Sequence, residues 1–401
     1  MNEAIEEVLI SEAPLKTFRD YEEDLGDTKF LLFDNDSNNM SFFENATFGK
    51  YKIQGLANYK NTMVIDKGIV NSMSGLTPIK VVHTVDLDSN ILGDIQKLFF
   101  NSGSLKVNSD LLRLLTLIKR EYIQLNSSPY ILECGLNNFN LNKEVVFKSL
   151  QSFSIMDYID EETLLSGEYG EFINDNLNLI LPESDEKWRQ IINLNEDSQE
   201  MSLPDYYSTY CMLLKAFYIK NSSKKSVEKK LNEFVDSITT EIFIYSENEL
   251  LALFMYIDDD ERISRFFNGI QPNSKNIFAK MKGMAWDLYH IRRTEQHMAE
   301  RNISRGIIPI HSFASGDKGL NQIISLNPIK RVAFYKGRSL VVREKNIFEE
   351  YPDICSDKIK NSAEERKNKA KETDYKILSK KFEDSIVKLI DDGKKSCANF
   401  R

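Results

Sequence analysis

"IIPIHSFASGDKGL", Ile307 to Leu320, is the stretch from which the fold is best inferred. It begins with an apolar run of strand length, passes through small residues at Ala314 and Ser315, and reaches an acid at Asp317. A short helical pattern follows, from Leu320 to Leu326. A buried strand, a tight turn and a helix in this order predict one β-α unit of an α/β sheet. Ligand sites of such sheets lie at the carboxyl ends of the strands, which is the position of Asp317.

Three further acids could reach the same crevice. Asp66 ends the apolar run "NTMVID", and Glu133 lies in the first turns of a helix predicted to begin near Pro129. Asp287 lies beside the apolar stripe of a long helix, where Gly283 one turn earlier leaves room above the carboxylate. Carboxylates gathered in one crevice repel each other unless a cation neutralises them. The cluster therefore predicts a Mg²⁺ or Mn²⁺ site for phosphoryl chemistry.

Four segments, "TMVIDKGIVNSM", "SPYILECGLNNF", "AWDLYHIR" and "FASGDKGL", resemble in this order the four motifs of PIN-domain nucleases. The resemblance implies that Asp66, Glu133, Asp287 and Asp317 bind one or two Mg²⁺ or Mn²⁺ ions. Ser315, in the Ser-x-Asp pattern of the last motif, would join them in the catalytic site. The implied fold is a three-layer α/β/α PIN-like domain with a parallel central sheet.

The same resemblance implies a metal-dependent nuclease, in particular an endoribonuclease, that acts on RNA or on single-stranded DNA. A toxin-like or defence role is typical of stand-alone nucleases of this kind. Basic residues near the motifs are candidates for contacts with substrate phosphates, namely Arg292, Arg293 and Lys318.

The motifs are spread over more of the chain than in many members of that family. Helical patterns broken by polar loops fill the long stretch between Glu133 and Asp287, which predicts a large helical insertion. We expect this insertion to offer a surface for a protein partner or for a second copy of the chain. The prediction divides the chain into an N-terminal extension (1–60), a first half of the PIN-like domain (61–140), the helical insertion (141–270), a second half (271–345) and a basic helical C-terminal tail (346–401).

Composition limits the other possibilities. The net charge is −9, so any contact with nucleic acid must be local. Four scattered cysteines without a CxxC pair argue against a zinc site or a disulfide framework, and they favour a reducing cytoplasm. No stretch approaches the roughly 20 apolar residues of a membrane span. We therefore expect a cytoplasmic protein without a membrane segment.

Alternatives remain open at this point. Glu121 or Glu144 could replace Glu133 as the second acid. "FLLFDNDSNN" places Asp34 and Asp36 after an apolar run, a pattern of haloacid-dehalogenase-type phosphatases in which the first Asp is the nucleophile and the second the acid/base. In a third alternative the acids do not converge, and the chain is a non-catalytic helical scaffold or a degenerate nuclease.

Overall fold

A computed structural model provides the structure of the chain. It describes residues 2–34, 45–59, 62–71, 80–100, 109–136, 142–197, 203–222, 224–300, 307–336, 338–354 and 356–398. The chain divides into two compact units. The first comprises Met1–Glu196, Thr294–Asp317 and Asn327–Glu344, and the second comprises Asp197–Arg293, Lys318–Leu326 and Lys345–Arg401.

All the described strands belong to the first unit. They are β1 (Lys29–Leu32), β2 (Ala46–Phe48), β3 (Tyr51–Gly55), β4 (Met63–Ile65), β5 (Lys80–Leu87), β6 (Gln124–Asn126), β7 (Ile307–Ser315), β8 (Ile329–Tyr335) and β9 (Arg338–Arg343). They form a four-stranded sheet of order β4-β1-β8-β9 and a five-stranded sheet of order β2-β3-β7-β5-β6.

Helices make up most of the rest. In the first unit they are α1 (Asn2–Ile10), α2 (Pro14–Asp20), α3 (Glu22–Leu25), α4 (Lys67–Val70), α5 (Ser89–Phe100), α6 (Ser109–Arg120), α7 (Ser128–Leu136), α8 (Lys143–Tyr158), α9 (Glu161–Ser166), α10 (Tyr169–Asp175) and α11 (Leu177–Asp197). In the second they are α12 (Pro204–Ser222), α13 (Val227–Ser237), α14 (Glu247–Ile257), α15 (Ser264–Phe267), α16 (Ile277–Glu300), α17 (Lys318–Ile324), α18 (Ile347–Glu350), α19 (Ser356–Asn361), α20 (Ala363–Glu372) and α21 (Tyr375–Ala398). Helix α16 crosses from the second unit into the first at Thr294.

The five-stranded sheet has one apolar face. Val85 and Leu87 of β5, Ile53 of β3 and Ala314 of β7 are buried in one cluster with α5 and α6. Because successive side chains of a strand point to opposite faces, Asp86 and Ser315 lie on the other face. Alternation of apolar and polar residues thus places Val85, Leu87 and Ala314 against the helices, and Asp86 and Ser315 on the opposite face, where they are also buried.

The α/β class is confirmed, but the sheets are mixed rather than wholly parallel. In the five-stranded sheet β5 pairs parallel with β6 and β7, whereas β3 pairs antiparallel with β7. The four-stranded sheet is antiparallel throughout. The reason lies in residues 1–60, which we expected to be an extension. They supply the β2–β3 hairpin, and a hairpin needs only a tight turn to place an antiparallel strand beside β7.

The four-stranded sheet has its own core. Phe18 of α2 packs edge-on against Phe30 of β1, and both are fully buried in a cluster with Ile65 of β4. Helix α1 adds Ile5 and Val8 to the same cluster. The N-terminal helices therefore cover one sheet and stand apart from the residues of the parallel strands.

The described part of the second unit contains no strand. Helix α12 is buried on nearly all sides, from Tyr206 to Ile219. The C-terminal region, which we expected to be an exposed tail, is helical, and it contributes to this core through Tyr375, Phe382 and Ile386. The hydroxyl of Tyr210 in α12 also donates to Glu383 of α21 at 2.6 Å.

The range 141–270, predicted to be one helical insertion, contains only helices and loops in its described residues. The boundary between the two units falls inside this range, after Glu196. Its role as a surface for a protein partner stays a prediction. None of the helices described is long and apolar enough to cross a membrane.

Candidate active site

The carboxyl ends of β6, β5 and β7 carry a row of polar residues, which we call the acid edge: Asn126, Asp86, Asp88, Ser315 and Asp317. The three strands are parallel neighbours, so their carboxyl ends meet at one edge of the sheet. Two of these residues, Ser315 and Asp317, belong to the stretch from Ile307 to Leu320.

Ser315 joins the acids that follow two different strands. Its side chain is fully buried, and its hydroxyl donates to Oδ2 of Asp88 at 2.8 Å. The hydroxyl oxygen of Ser315 also accepts the backbone N–H of Asp317 at 2.9 Å. Asp317 itself is exposed. One hydroxyl therefore fixes the end of β5 against the turn that follows β7.

Asp86 is the buried member of the edge, with 1% of its surface exposed. Its carboxylate accepts the side-chain amide of Asn126 at 2.7 Å and the hydroxyl of Thr294 in α16. A buried charge is tolerated only when such partners are supplied. Asp86 thus ties β6 and α16 to the central strand, and it acts as a support for the edge.

Asp88 is the half-buried carboxylate beside it. Besides Ser315, it receives the side-chain amide of Asn90 at 3.2 Å and the hydroxyl of Ser89 at 3.4 Å. Its backbone carbonyl accepts Leu92 N–H at 3.1 Å, so the residue also begins α5. The acid is therefore held from the side of the sheet and from the side of the helix.

Glu133 of α7 is electrostatically coupled to this edge. It is half-buried, and burial together with the negative charge of Asp88 raises the pKa of its carboxyl from 4.5 to about 7. Burial is the larger cause of this shift, and the like charge of Asp88 adds to it. Of the two alternatives, Glu121 is exposed, and the exposed Glu144 accepts a hydrogen bond from Lys148 at 2.7 Å.

The donor set fits a hard divalent cation in its chemistry, because it consists of oxygen atoms. Among the described residues no three His, Cys, Asp or Glu side chains are arranged to hold a metal ion. Mg²⁺ does not need such a cage, since it is commonly bound through one or two carboxylates and completes its shell with water and substrate phosphate. Asp88 and Glu133 are two half-buried carboxylates of the kind that supply such ligands.

Asp66, the predicted first acid, lies in the other sheet. It follows β4, where its carboxylate accepts Ile69 N–H at 2.8 Å as the N-cap of α4 and lies 3.6 Å from the Lys29 amine. A helix cap and an ion pair account for this residue. At the acid edge, Asp86 lies near the carboxyl end of β5 and Asp88 directly follows this strand. Neither acid was predicted from the sequence.

Asp287 lies in the second unit, on the N-terminal part of α16, and it is half-buried. Asp317, Glu133 and Ser315 belong to the first unit. The convergence of Asp287 with these residues stays a prediction.

No protein-family model, curated protein or solved structure matches this chain.

The three predicted phosphate contacts have different surroundings. Arg292 is buried, and its guanidinium donates to Asp205 at 3.0 Å and lies 3.6 Å from Glu249, so it is occupied by acids of its own unit. Arg293 donates to a tyrosine hydroxyl at 3.3 Å. Lys318 is exposed and follows Asp317 directly. Arg292 is therefore the least suited of the three to hold a phosphate.

The residues of the phosphatase alternative are only partly described. Asp34 receives the guanidinium of Arg331 on both carboxylate oxygens, at 2.9–3.1 Å, and lies 3.5 Å from the Lys330 amine. Burial raises the pKa of Asp34, but Arg331 and Lys330 outweigh this effect and hold it below its ordinary value. Asp36 lies outside the described residues. The carboxylate of Asp34 is thus occupied by an ion pair.

Proposed function

We propose that this chain is a divalent-metal-dependent nuclease, in particular an endoribonuclease, whose active site is the acid edge together with Glu133. One observation supports it most: Asp88, Ser315 and Asp317 form one hydrogen-bonded group, and Glu133 is coupled to Asp88. Glu133, Ser315 and Asp317 are three of the residues that the resemblance to PIN-domain nucleases implies. The proposal gives the role of first acid to Asp88 instead of Asp66.

The local architecture supports the same proposal. The parallel strands β6, β5 and β7 have α5 and α6 on one face, and Thr294 of α16 reaches Asp86 from the other. These contacts support, as part of the proposal, a three-layer PIN-like domain with an added antiparallel hairpin.

Each residue has a distinct task. Asp88 and Glu133 would hold Mg²⁺ or Mn²⁺, and the bound ion would neutralise charge on the phosphate and lower the pKa of a water. Ser315 orients Asp88, because its hydroxyl donates to that carboxylate. Asp317 adds an exposed carboxylate at the open side of the edge. Asp86 holds the strand ends in place and need not touch substrate.

A purely structural role does not explain the pair of Asp88 and Glu133. An ionised Glu133 destabilises the folded chain, because burial and, less strongly, the negative charge of Asp88 raise its pKa. Groups with strongly shifted pKa values are concentrated at functional sites, where such destabilisation accompanies activity. Hence the pair fits a cation-binding site better than a stabilising network.

The test is cleavage of an end-labelled single-stranded RNA with Mg²⁺ or Mn²⁺, for wild type, Asp88→Asn and Asp317→Asn. The amide is nearly isosteric, so folding should persist while one charge and one strong oxygen ligand are lost. We expect cleavage to fall by about a hundredfold or more, because such a change removes several kcal/mol of stabilisation. The matched control is Asp160→Asn, at an exposed helix cap where Asn also caps well.

Three outcomes would contradict the proposal. If both variants cut at the wild-type rate, the acid edge is not the active site. If the purified chain cuts no RNA and binds neither ion, the scaffold alternative stands. If it hydrolyses a chromogenic phosphate ester and Asp34→Asn abolishes that activity, the chain is a phosphatase.

A further inference from the structure

A lysine stands next to the acid edge on the neighbouring antiparallel strand. Lys52 of β3 is paired in register with Ser315 of β7. Directly opposite residues of an antiparallel pair have Cβ atoms roughly 4.5–5.5 Å apart and point to the same face. The side chain of Lys52 therefore leaves the sheet on the face that carries Ser315 and Asp86.

The charge of Lys52 is not neutralised within the described part of the chain. The residue is half-buried, it has no ion pair with a described acid, and burial alone lowers its pKa. Lys50, two residues earlier, differs. Its amine binds Asp94 at 2.7 Å and lies 4.9 Å from the centre of the Tyr51 ring. Of these two lysines, Lys52 is the one that can accept an anion from outside the chain.

The β2–β3 turn lies at the same edge. Gly316, between Ser315 and Asp317, is so close to Tyr51 that an added Cβ would lie 3.8 Å from the ring. Since β3 runs antiparallel to β7, its beginning meets the end of β7. A polyanion that crosses the acid edge towards β3 would therefore come close to Lys52.

We propose that Lys52 binds a backbone phosphate of a single-stranded polynucleotide at the β3 side of the acid edge. This inference rests on the proposed nuclease function and names a substrate contact of that site. A substrate that approaches Asp88, Glu133 and Asp317 is repelled by their charges, and a lysine supplies a compensating point charge for a phosphate. In this arrangement the acids would bind the cation, and Lys52 would bind the phosphate backbone.

The test measures binding without cleavage. A fluorescein-labelled single-stranded RNA of mixed sequence is titrated with protein in Ca²⁺ buffer from 50 to 300 mM KCl, and anisotropy gives the binding constant. For single strands each phosphate contact contributes about −0.7 to the slope of log K against log salt, so Lys52→Gln should flatten it by roughly that amount. Lys52→Arg should keep the wild-type slope. Lys16→Gln, at an exposed lysine of α2, is the control of equal charge change.

Steady-state cleavage supplies the second measurement. A phosphate contact made equally in the ground state and the transition state changes KM and leaves kcat, so Lys52→Gln should raise KM about tenfold at constant kcat. Thermal melting of each variant shows whether the fold persists. If Lys52→Gln unfolds, the comparison of Lys52→Arg with Lys52→Met replaces it.

The outcomes separate this inference from the proposed function. If wild type cleaves RNA and Lys52→Gln leaves both the salt slope and KM unchanged, the lysine contact is refuted and the proposed nuclease function is retained. Binding that depends on Lys52, without cleavage by wild type, supports the contact and overturns the nuclease. If wild type neither binds nor cuts RNA, both fall.

Discussion

Glu133→Gln should make the folded chain more stable at pH 8 than wild type while it removes activity. In the folded state Glu133 has a pKa of about 7 instead of 4.5, because burial and the charge of Asp88 disfavour its ionised form. The folded state therefore holds this proton more tightly than the unfolded chain does. Below about pH 4.5 both states are protonated, and the group has no effect on stability. As the pH rises from about 4.5 to about 7, the unfolded chain loses this proton while the folded chain still holds it, so wild type loses stability until the pH has passed the folded pKa.

The magnitude follows from the shift. A full shift from 4.5 to about 7 corresponds to about 3 kcal/mol. Glu133 is only half-buried, so solvent screens part of this, and we expect about 2 kcal/mol. Glutamine has no proton to lose. Its advantage over wild type should therefore grow by about 2 kcal/mol between pH 5 and pH 8.

The assay is urea unfolding in EDTA at pH 5, 6, 7 and 8, for wild type, Glu133→Gln and the control Glu144→Gln. Glu144 is exposed, and Lys148 holds its pKa below the ordinary value, so its variant should not gain stability as the pH rises. Asp88→Asn should also reduce the pH dependence, because it removes one of the two causes of the shift. Parallel stability curves for wild type and Glu133→Gln would refute the electrostatic coupling on which the site depends.

Two further predictions separate site residues from structural ones. Ser315→Ala loses two hydrogen bonds and should cost about 2 kcal/mol of stability and most of the cleavage. Ser312 is equally buried, and Ser312→Ala loses only its bond to His83, so it should cost about 1 kcal/mol and keep the activity. Equal activity in both variants would contradict the role of Ser315. Asp66→Ala should cost about 1 kcal/mol as a lost helix cap and keep the increase in melting temperature that Mg²⁺ causes, while Asp88→Asn should lose that increase. The reverse pattern, measured by thermal melting with and without Mg²⁺, would restore Asp66 as the metal ligand.

Local patterns were enough to predict part of this site. Ser315 and Asp317 follow an apolar run and a small-residue turn, and the turn is a property of the adjacent residues. Glu133 could be predicted as a helix residue near Pro129, although its coupling to Asp88 depends on a strand distant in sequence.

Other features could not be predicted from compact apolar runs. Strand β5 contains His83, Thr84 and Asp86 among its valines, so it is less apolar than "NTMVID" and was not recognised as a strand. Its signal was the alternation of polar and apolar residues, which is typical of a strand with one buried face. The register that places Lys52 opposite Ser315 arises when two segments distant in sequence pair in the folded chain. The local pattern of neither segment predicts this pairing.

The hydrogen bond between Asp88 and Ser315 determines when, during synthesis, the acid edge can form. The two residues are 227 positions apart, so Asp88 leaves the ribosome long before its partner exists. At roughly 5–20 residues per second, translation takes roughly 10–45 s to supply it. Every nascent or truncated chain that ends before β7 lacks the junction that aligns the acids. If the acid edge is a nuclease site, the cell that makes the protein is exposed to its activity only after β7 has been synthesised.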